Sequence, residues 1–172
     1  MNNIADSMVE TDASLGAYMI PSGMGPFFDM GDHRGRLKVG ADATAGAFIF
    51  AEVHADQGGG VPPHIHSRED ETFYILEGRF AFQIGDETVI ANVGDTVFAP
   101  RRVAHAWFCV SPGGGRATLL ITPGRNFEEF VTAMAQYGFV PKEAMSGPDA
   151  ASFVRLAARH GIEMLPHALR DK

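Results

Sequence analysis

Short apolar runs separated by turn residues fill the middle of this 172-residue chain. The runs are rich in β-branched and aromatic residues, and the breaks between them contain Gly, Pro, Asn or Asp. Short strands at such regular spacing predict an all-β sandwich or barrel. The predicted strands cover residues 47–54, 71–77, 79–84, 87–91, 96–99, 105–110 and 117–122.

Three segments are predicted from these patterns. Residues 1–35 are punctuated by Gly and Pro and are expected to be irregular. Residues 36–122 carry the strands, and residues 123–172 carry helical spacing. The first helix is expected to begin at Asn126 as its N-cap, and the second is expected to open at 148–149. Their inner faces are predicted to be Phe127, Phe130, Val131 and Met134, then Phe153, Leu156, Ala157 and His160.

The charge balance excludes several classes of partner. There are 14 basic and 21 acidic residues, a net charge of −7, which disfavours nucleic acid. No apolar run reaches the roughly 18 residues of a membrane span, and the first residues lack the pattern of a secretory signal. A cytoplasmic protein is therefore expected. The single cysteine, Cys109, excludes an intrachain disulfide.

Histidines at strand spacing form the strongest chemical signal. His64 and His66 are two residues apart, which places both on one face of a strand. Prolines at 62–63 predict that this strand begins at an edge or a barrel mouth. Glu71 follows, and His105 lies on a later strand. Three imidazoles and one carboxylate converging inside a barrel would make a strong site for a divalent transition metal.

The spacing of these residues resembles the two sequence motifs of the cupin family. Two positions depart from the pattern: Arg102 stands where the second motif usually has Gly, and Cys109 where it usually has Asn. The Arg predicts a turn that does not need a positive φ at this residue. The matching positions are Gly58, His64, His66, Glu71 and Gly78 in the first motif, and Gly94, Pro100 and His105 in the second.

The resemblance implies a double-stranded β-helix, or jelly-roll barrel, with C-terminal helices and one metal ion near a mouth. It implies that the ligands are His64, His66, Glu71 and His105. Iron, nickel, cobalt, manganese, copper and zinc all suit these donors, so the metal is left open. The neighbouring acids Glu69 and Asp70 lack the family spacing and are expected to be solvated.

Strand alternation predicts the wall of a substrate pocket. Phe73 and Ile75 share a face with Glu71, as Trp107 and Cys109 share one with His105. Such a wall favours an aromatic or otherwise apolar substrate. Cys109 is expected to be a buried apolar residue and not a nucleophile.

Three functions remain open at this point. Small cupins with this ligand set are similar to quercetinase-like dioxygenases, which implies a phenolic or enolic substrate, dioxygen, and Glu71 as general base. A non-oxidative isomerase, lyase or cyclase is the first alternative, and a non-catalytic module that binds a small molecule is the second. Family habit also implies a homodimer, with a strand edge next to residues 36–54 as the contact. His33 and His54 receive no role.

Overall fold

The computed structural model describes residues 16–138 and 150–165. Within these ranges, eleven strands form two antiparallel sheets, and two helices follow the tenth strand. The all-β jelly-roll prediction with C-terminal helices is confirmed. The strands are β1 Phe27–Asp29, β2 His33–Val39, β3 Ile49–Ala55, β4 Gly60–His66, β5 Asp70–Glu77, β6 Phe80–Ile84, β7 Glu87–Ala91, β8 Thr96–Ala99, β9 His105–Cys109, β10 Gly115–Thr122 and β11 Ile162–Met164.

The two sheets enclose the core between them. The six-stranded sheet has the order β1-β2-β3-β10-β5-β8, and the five-stranded sheet has the order β11-β4-β9-β6-β7. Alternate residues of each strand point inward, so Phe73 and Trp107 meet from opposite sheets with ring centroids 5.8 Å apart. Phe82 packs against Phe73 at 5.0 Å. Large aromatic side chains therefore fill the middle of the barrel.

The strands begin earlier than the sequence patterns predict. β1 and the first three residues of β2 lie before residue 36, in the segment that was expected to be irregular. The two strands pair as a hairpin, and Gly31 in the turn has φ of 93°. Glycine disfavours a long helix or strand, but it also permits the tight turn of a hairpin. The glycines of this segment therefore do not exclude strands. Residues 1–15 of the segment lie outside the described residues.

Prolines 62 and 63 lie inside β4, which is not an edge strand because it pairs with both β11 and β9. The register between β4 and β9 shifts between Val61 and His64. A bulge of this kind tolerates residues without a backbone donor. The two prolines therefore mark an irregularity immediately before the histidines.

Each helix buries three of the four residues predicted for its inner face; Phe127 is only half-buried, and His160 is half-buried and lies beyond the end of the second helix. α1 spans Arg125–Tyr137 and buries Phe130, Val131 and Met134. α2 spans Ala150–Arg159 and buries Phe153, Leu156 and Ala157. The predicted start of the second helix at 148–149 lies outside the described residues. Neither helix is long and apolar enough to cross a membrane, and the same holds for all of the chain that the structure describes.

Asn126 is not the N-cap of α1. Gly124 occupies that position, and no side chain caps the helix. The Asn126 amide instead donates hydrogen bonds to the Glu69 carboxylate and to the carbonyl of His160. Asn is favoured at N-caps because of its short polar side chain, and the same side chain here satisfies groups that are distant in the sequence.

Candidate metal centre

Four buried side chains converge between the two sheets, near one end of the barrel. β4 carries His64 and His66, β9 begins with His105, and β5 carries Glu71 as its second residue. Their ligand atoms all lie within 4.8 Å of one another, and each residue is at most 3% exposed. We call these four residues the His/Glu centre. The structure thus brings together every residue that the sequence analysis named as a ligand.

Strand pairing explains why the histidines meet. The register of β4 and β9 places His64 opposite His105, and their ring centroids are 4.3 Å apart. His66 lies two residues further along the same face of β4. The Nε2 atoms of His64 and His66 are 3.1 Å apart, so two ring nitrogens of neighbouring strand positions point to the same place.

Backbone carbonyls fix the orientation of two rings. His64 Nδ1 lies 2.8 Å from the Pro62 carbonyl oxygen, and His105 Nδ1 lies 2.9 Å from that of Val103. A carbonyl only accepts hydrogen bonds, so each Nδ1 carries the proton. In this tautomer the lone pair is on Nε2, the atom that faces the centre. Histidines that bind a metal through one ring nitrogen are commonly oriented by a hydrogen bond from the other, as these two rings are.

Glu69 holds the third ring, which corrects the expectation that it is solvated. It is 0% exposed, and its Oε2 lies 3.3 Å from His66 Nδ1. Asp70, in contrast, is only partly buried and binds the Arg101 guanidinium at 2.7 and 3.0 Å. No local pattern distinguishes the two acids, because the partners that bury Glu69 include Asn126, from a distant part of the chain.

The buried charges shift one another's pKa values. Burial, with the neighbouring His105 and His66, lowers the pKa of His64 to about 3. Burial would also lower the pKa of His66, but hydrogen bonds to Glu69 and Glu71 outweigh it and raise the pKa to about 9. Burial likewise opposes ionisation of Glu71, yet His105 and His66 hold its pKa well below the usual range. The carboxylate is therefore ionised at neutral pH.

Two atoms of the centre have no hydrogen-bond partner. Glu71 Oε2 and His105 Nε2 are both buried and lie 3.5 Å apart, which is ion-pair distance when the ring is protonated but not a hydrogen bond. An unpaired buried polar atom is costly, and a cation between the two would satisfy both. Nitrogen and oxygen donors of this kind fit a divalent first-row transition metal. The residues present therefore fit the cofactor that the sequence analysis expects.

The four residues predicted to wall a pocket all point into the barrel. Their exposed fractions are 3% or less, which confirms the strand alternation. All four belong to one hydrophobic cluster. Their role against a substrate stays a prediction. They are Phe73, Ile75, Trp107 and Cys109.

Arg102 has φ of 66°, so the prediction that this turn avoids a positive φ is wrong. Its backbone N–H donates to the carbonyl oxygen of His66 at 2.7 Å. The turn before β9 therefore closes directly onto the strand that carries two histidines. Arg102 thus adopts the left-handed conformation that glycine favours, although arginine has a side chain.

The two histidines without a predicted role stay outside the centre. His33 is buried, lies 2.8 Å from an Asp32 carboxylate oxygen, and packs edge-on against Trp107 at 5.0 Å. His54 is exposed and lies 2.7 Å from a Glu52 carboxylate oxygen. Neither belongs to the group of clustered ligand atoms.

Comparison with known proteins agrees with this architecture. Residues 51–122 match the family model described as "Cupin domain". No curated protein is significantly similar to the chain in sequence. The match runs from the third residue of β3 to the end of β10 and includes all four residues of the His/Glu centre.

Solved structures with similar folds include three proteins of different description. KdgF from Halomonas sp. is 21% identical with a TM-score of 0.57, over 66% of this chain and 98% of its own. A predicted oxalate decarboxylase from Thermotoga maritima is 19% identical with a TM-score of 0.56, over 62% and 98%. The nucleoside dehydratase Pac13 of Streptomyces is 17% identical with a TM-score of 0.53, over 63% and 84%. At these identities the likeness shows the fold alone.

Proposed function

We propose that this protein is a metal-dependent cupin enzyme acting on a small metabolite, because residues 51–122 match the family model described as "Cupin domain". The His/Glu centre would hold one divalent transition metal. The observation that carries this proposal is a group of four converging donors in which two buried atoms, Glu71 Oε2 and His105 Nε2, make no hydrogen bond. A purely structural cluster would be expected to satisfy these atoms internally.

A bound metal would act as a Lewis acid toward an oxygen atom of the substrate and favour its deprotonated form. Glu71 is the proposed general base that takes the proton. Its low pKa makes it a weak base while both histidines face it. The carboxylate therefore has to turn away from His66 and His105 before it accepts a proton.

The surroundings of the centre suit an apolar, ring-containing substrate. The Phe127 ring lies 5.7 Å from the His66 ring, and the aromatic core formed by Phe73 and Trp107 lies further inside. Aromatic walls exclude water and pack against flat rings. We therefore propose a dioxygenase of the quercetin 2,3-dioxygenase kind, with an aromatic, phenolic or enolic substrate.

The test is anaerobic purification with elemental analysis, followed by an oxygen-electrode screen over phenols, flavonols and β-dicarbonyls. Metal-dependent dioxygen uptake with one of these compounds is the expected result. Glu71→Gln should retain much of the metal and lose turnover, because the amide keeps an oxygen ligand but does not accept the proton. Unchanged turnover at equal metal content would remove Glu71 as the base.

A non-oxidative reaction is the second candidate. A Lewis acid and one carboxylate base are enough for an isomerase, a lyase or a cyclase, and the similar fold of Pac13 belongs to a nucleoside dehydratase. Substrate conversion without dioxygen uptake would favour this candidate. A non-catalytic binding module is the third, and it would show a metal without exchangeable water.

Self-association stays a prediction. The edge next to residues 36–54 is β1, since β2 lies between β1 and β3 in the sheet. An exposed strand edge offers unpaired backbone groups to a second copy. Sedimentation at micromolar concentration tests the homodimer, and a monomer there would contradict it.

A further inference from the structure

A buried carboxylate outside the His/Glu centre contacts one of its histidines. Glu69 is the last residue of the short loop between β4 and β5, and none of its surface is exposed. Its Oε2 lies 3.3 Å from His66 Nδ1, the ring nitrogen that faces away from the other ligands. A buried carboxylate is costly unless its oxygens have partners, so this position has a specific reason to be acidic.

Asn126 supplies the partner of the other Glu69 oxygen. Its Nδ2 donates to Glu69 Oε1 and, at 2.7 Å, to the carbonyl oxygen of His160. Its Oδ1 accepts a hydrogen bond from Arg68 Nη1 at 2.7 Å. Asn126 lies in the first turn of α1, and His160 directly follows α2. One amide group therefore joins both helices to the loop that carries Glu69.

The chain after α2 is attached to the same strand. β11 pairs with β4 in a register that places Ile162 opposite His66. The Ser67 N–H donates to the Gly161 carbonyl oxygen at 2.8 Å. On the other side, the Phe127 ring of α1 packs against the His66 ring at 5.7 Å. The C-terminal segment thus contacts His66 from both β11 and α1, and it is also bonded to the next residue, Ser67.

We propose that Glu69 and Asn126 are positioning residues of the metal centre. The C-terminal helices and β11 thereby help to hold its ligands in place. Glu69 Oε2 accepts a hydrogen bond from the Nδ1–H group of His66 and so turns Nε2 toward the other ligand atoms. Asn126 holds the Glu69 carboxylate in place from α1. The inference rests on the proposed function, since it presumes a bound metal.

The test compares two adjacent acids, Glu69 at the end of the loop and Asp70 at the start of β5. Glu69→Gln keeps the size of the side chain but brings an amide donor against the Asn126 amide. The Zn²⁺ dissociation constant, measured by competition with a chromophoric chelator, is expected to rise about 10–100-fold, as for other partners of metal-bound histidines. Asp70→Asn is the matched control: its carboxylate contacts Arg101 and not His66, and its dissociation constant should stay at the wild-type value.

Two further measurements separate positioning from folding. Melting of the metal-free variants reports stability, and the visible absorption spectrum at saturating Co²⁺ reports the geometry of the ligands. A Glu69→Gln protein that melts earlier but keeps the wild-type dissociation constant and spectrum would overturn the inference. If that variant does not fold, Asn126→Ala decides: weaker Zn²⁺ binding supports the inference and unchanged binding overturns it. A wild-type protein that binds neither ion contradicts the proposed function itself, which is a different result.

Discussion

Glu71 and His105 hold two buried polar atoms, Oε2 and Nε2, 3.5 Å apart, and neither atom has a hydrogen-bond partner. The two residues come from different sheets, since β5 lies in the six-stranded sheet and β9 in the five-stranded one. The gap between them is therefore fixed by how the sheets pack. A metal bound there would link the two sheets and stabilise the barrel.

Replacing His105 tests its place as a ligand. His105→Ala removes one nitrogen donor and leaves His64, His66 and Glu71, so the Zn²⁺ dissociation constant should rise by more than about 100-fold, beyond the usual effect of an outer partner. His54→Ala is the control, because that histidine is exposed and lies outside the centre. Equal binding by the two variants would exclude His105 from the ligand set.

Arg102→Gly should stabilise the protein. A side chain at φ of 66° costs about 1–2 kcal/mol, and the entropy that glycine adds to the unfolded chain offsets about 0.4–1 kcal/mol of the gain. The melting temperature is expected to rise by up to about 4 °C. Arg102→Ala keeps the Cβ atom and should show no rise. A gain in the alanine variant equal to that in the glycine variant would place the cause in the arginine side chain.

Gly161→Ala should destabilise the attachment of β11. Gly161 has φ of 75°, and a Cβ atom there would lie 2.3 Å from Ser67 Oγ. Gly138→Ala is the matched control, with φ of 67° and nothing within 4 Å of its Cβ. Both variants pay about 1–2 kcal/mol for the left-handed conformation, and only the first adds a clash. Thermal melting should therefore rank Gly161→Ala below Gly138→Ala, and equal melting temperatures would show that the Ser67 side chain rotates out of the way without cost.

Glu52 should make the protein sensitive to acid. Burial opposes its ionisation, but hydrogen bonds to His54 and Arg116 outweigh burial and lower the pKa of Glu52. A lowered pKa in the folded state means stability that is present above the unfolded pKa, 4.5, and is lost as the pH falls through the folded value. The melting temperatures of the wild type and Glu52→Gln should therefore differ most at neutral pH and approach each other below pH 4.5. A constant difference across that range would contradict the shift.

Much of the barrel and the four ligands could be predicted from the sequence, because the signals are local. Strands alternate with a period of two, and the spacing of His64, His66, Glu71 and His105 brings a known pattern of donors onto those strands. The inward direction of Phe73 and Trp107 follows from the same alternation.

What escaped prediction depends on contacts between distant parts of the chain. Glu69 and Asp70 are adjacent acids, yet one is enclosed by α1 and the other pairs with Arg101 near the surface. The sequence around Asn126 predicts a helix N-cap, but its side chain binds Glu69 and His160, which are distant in the sequence. The positive φ of Arg102 likewise follows from the closure of its turn onto β4 and not from its residue type.

The most direct test of the account is the metal content and metal affinity of the wild-type protein. Elemental analysis after anaerobic purification, followed by titration of the metal-free protein with Zn²⁺ and Co²⁺, is expected to give one divalent ion per chain. At a free-ion concentration about 100 times the dissociation constant, binding should stabilise the folded protein by about 2.7 kcal/mol and raise the melting temperature accordingly. A protein that contains no transition metal and gains no stability from millimolar Zn²⁺ or Co²⁺ would contradict it.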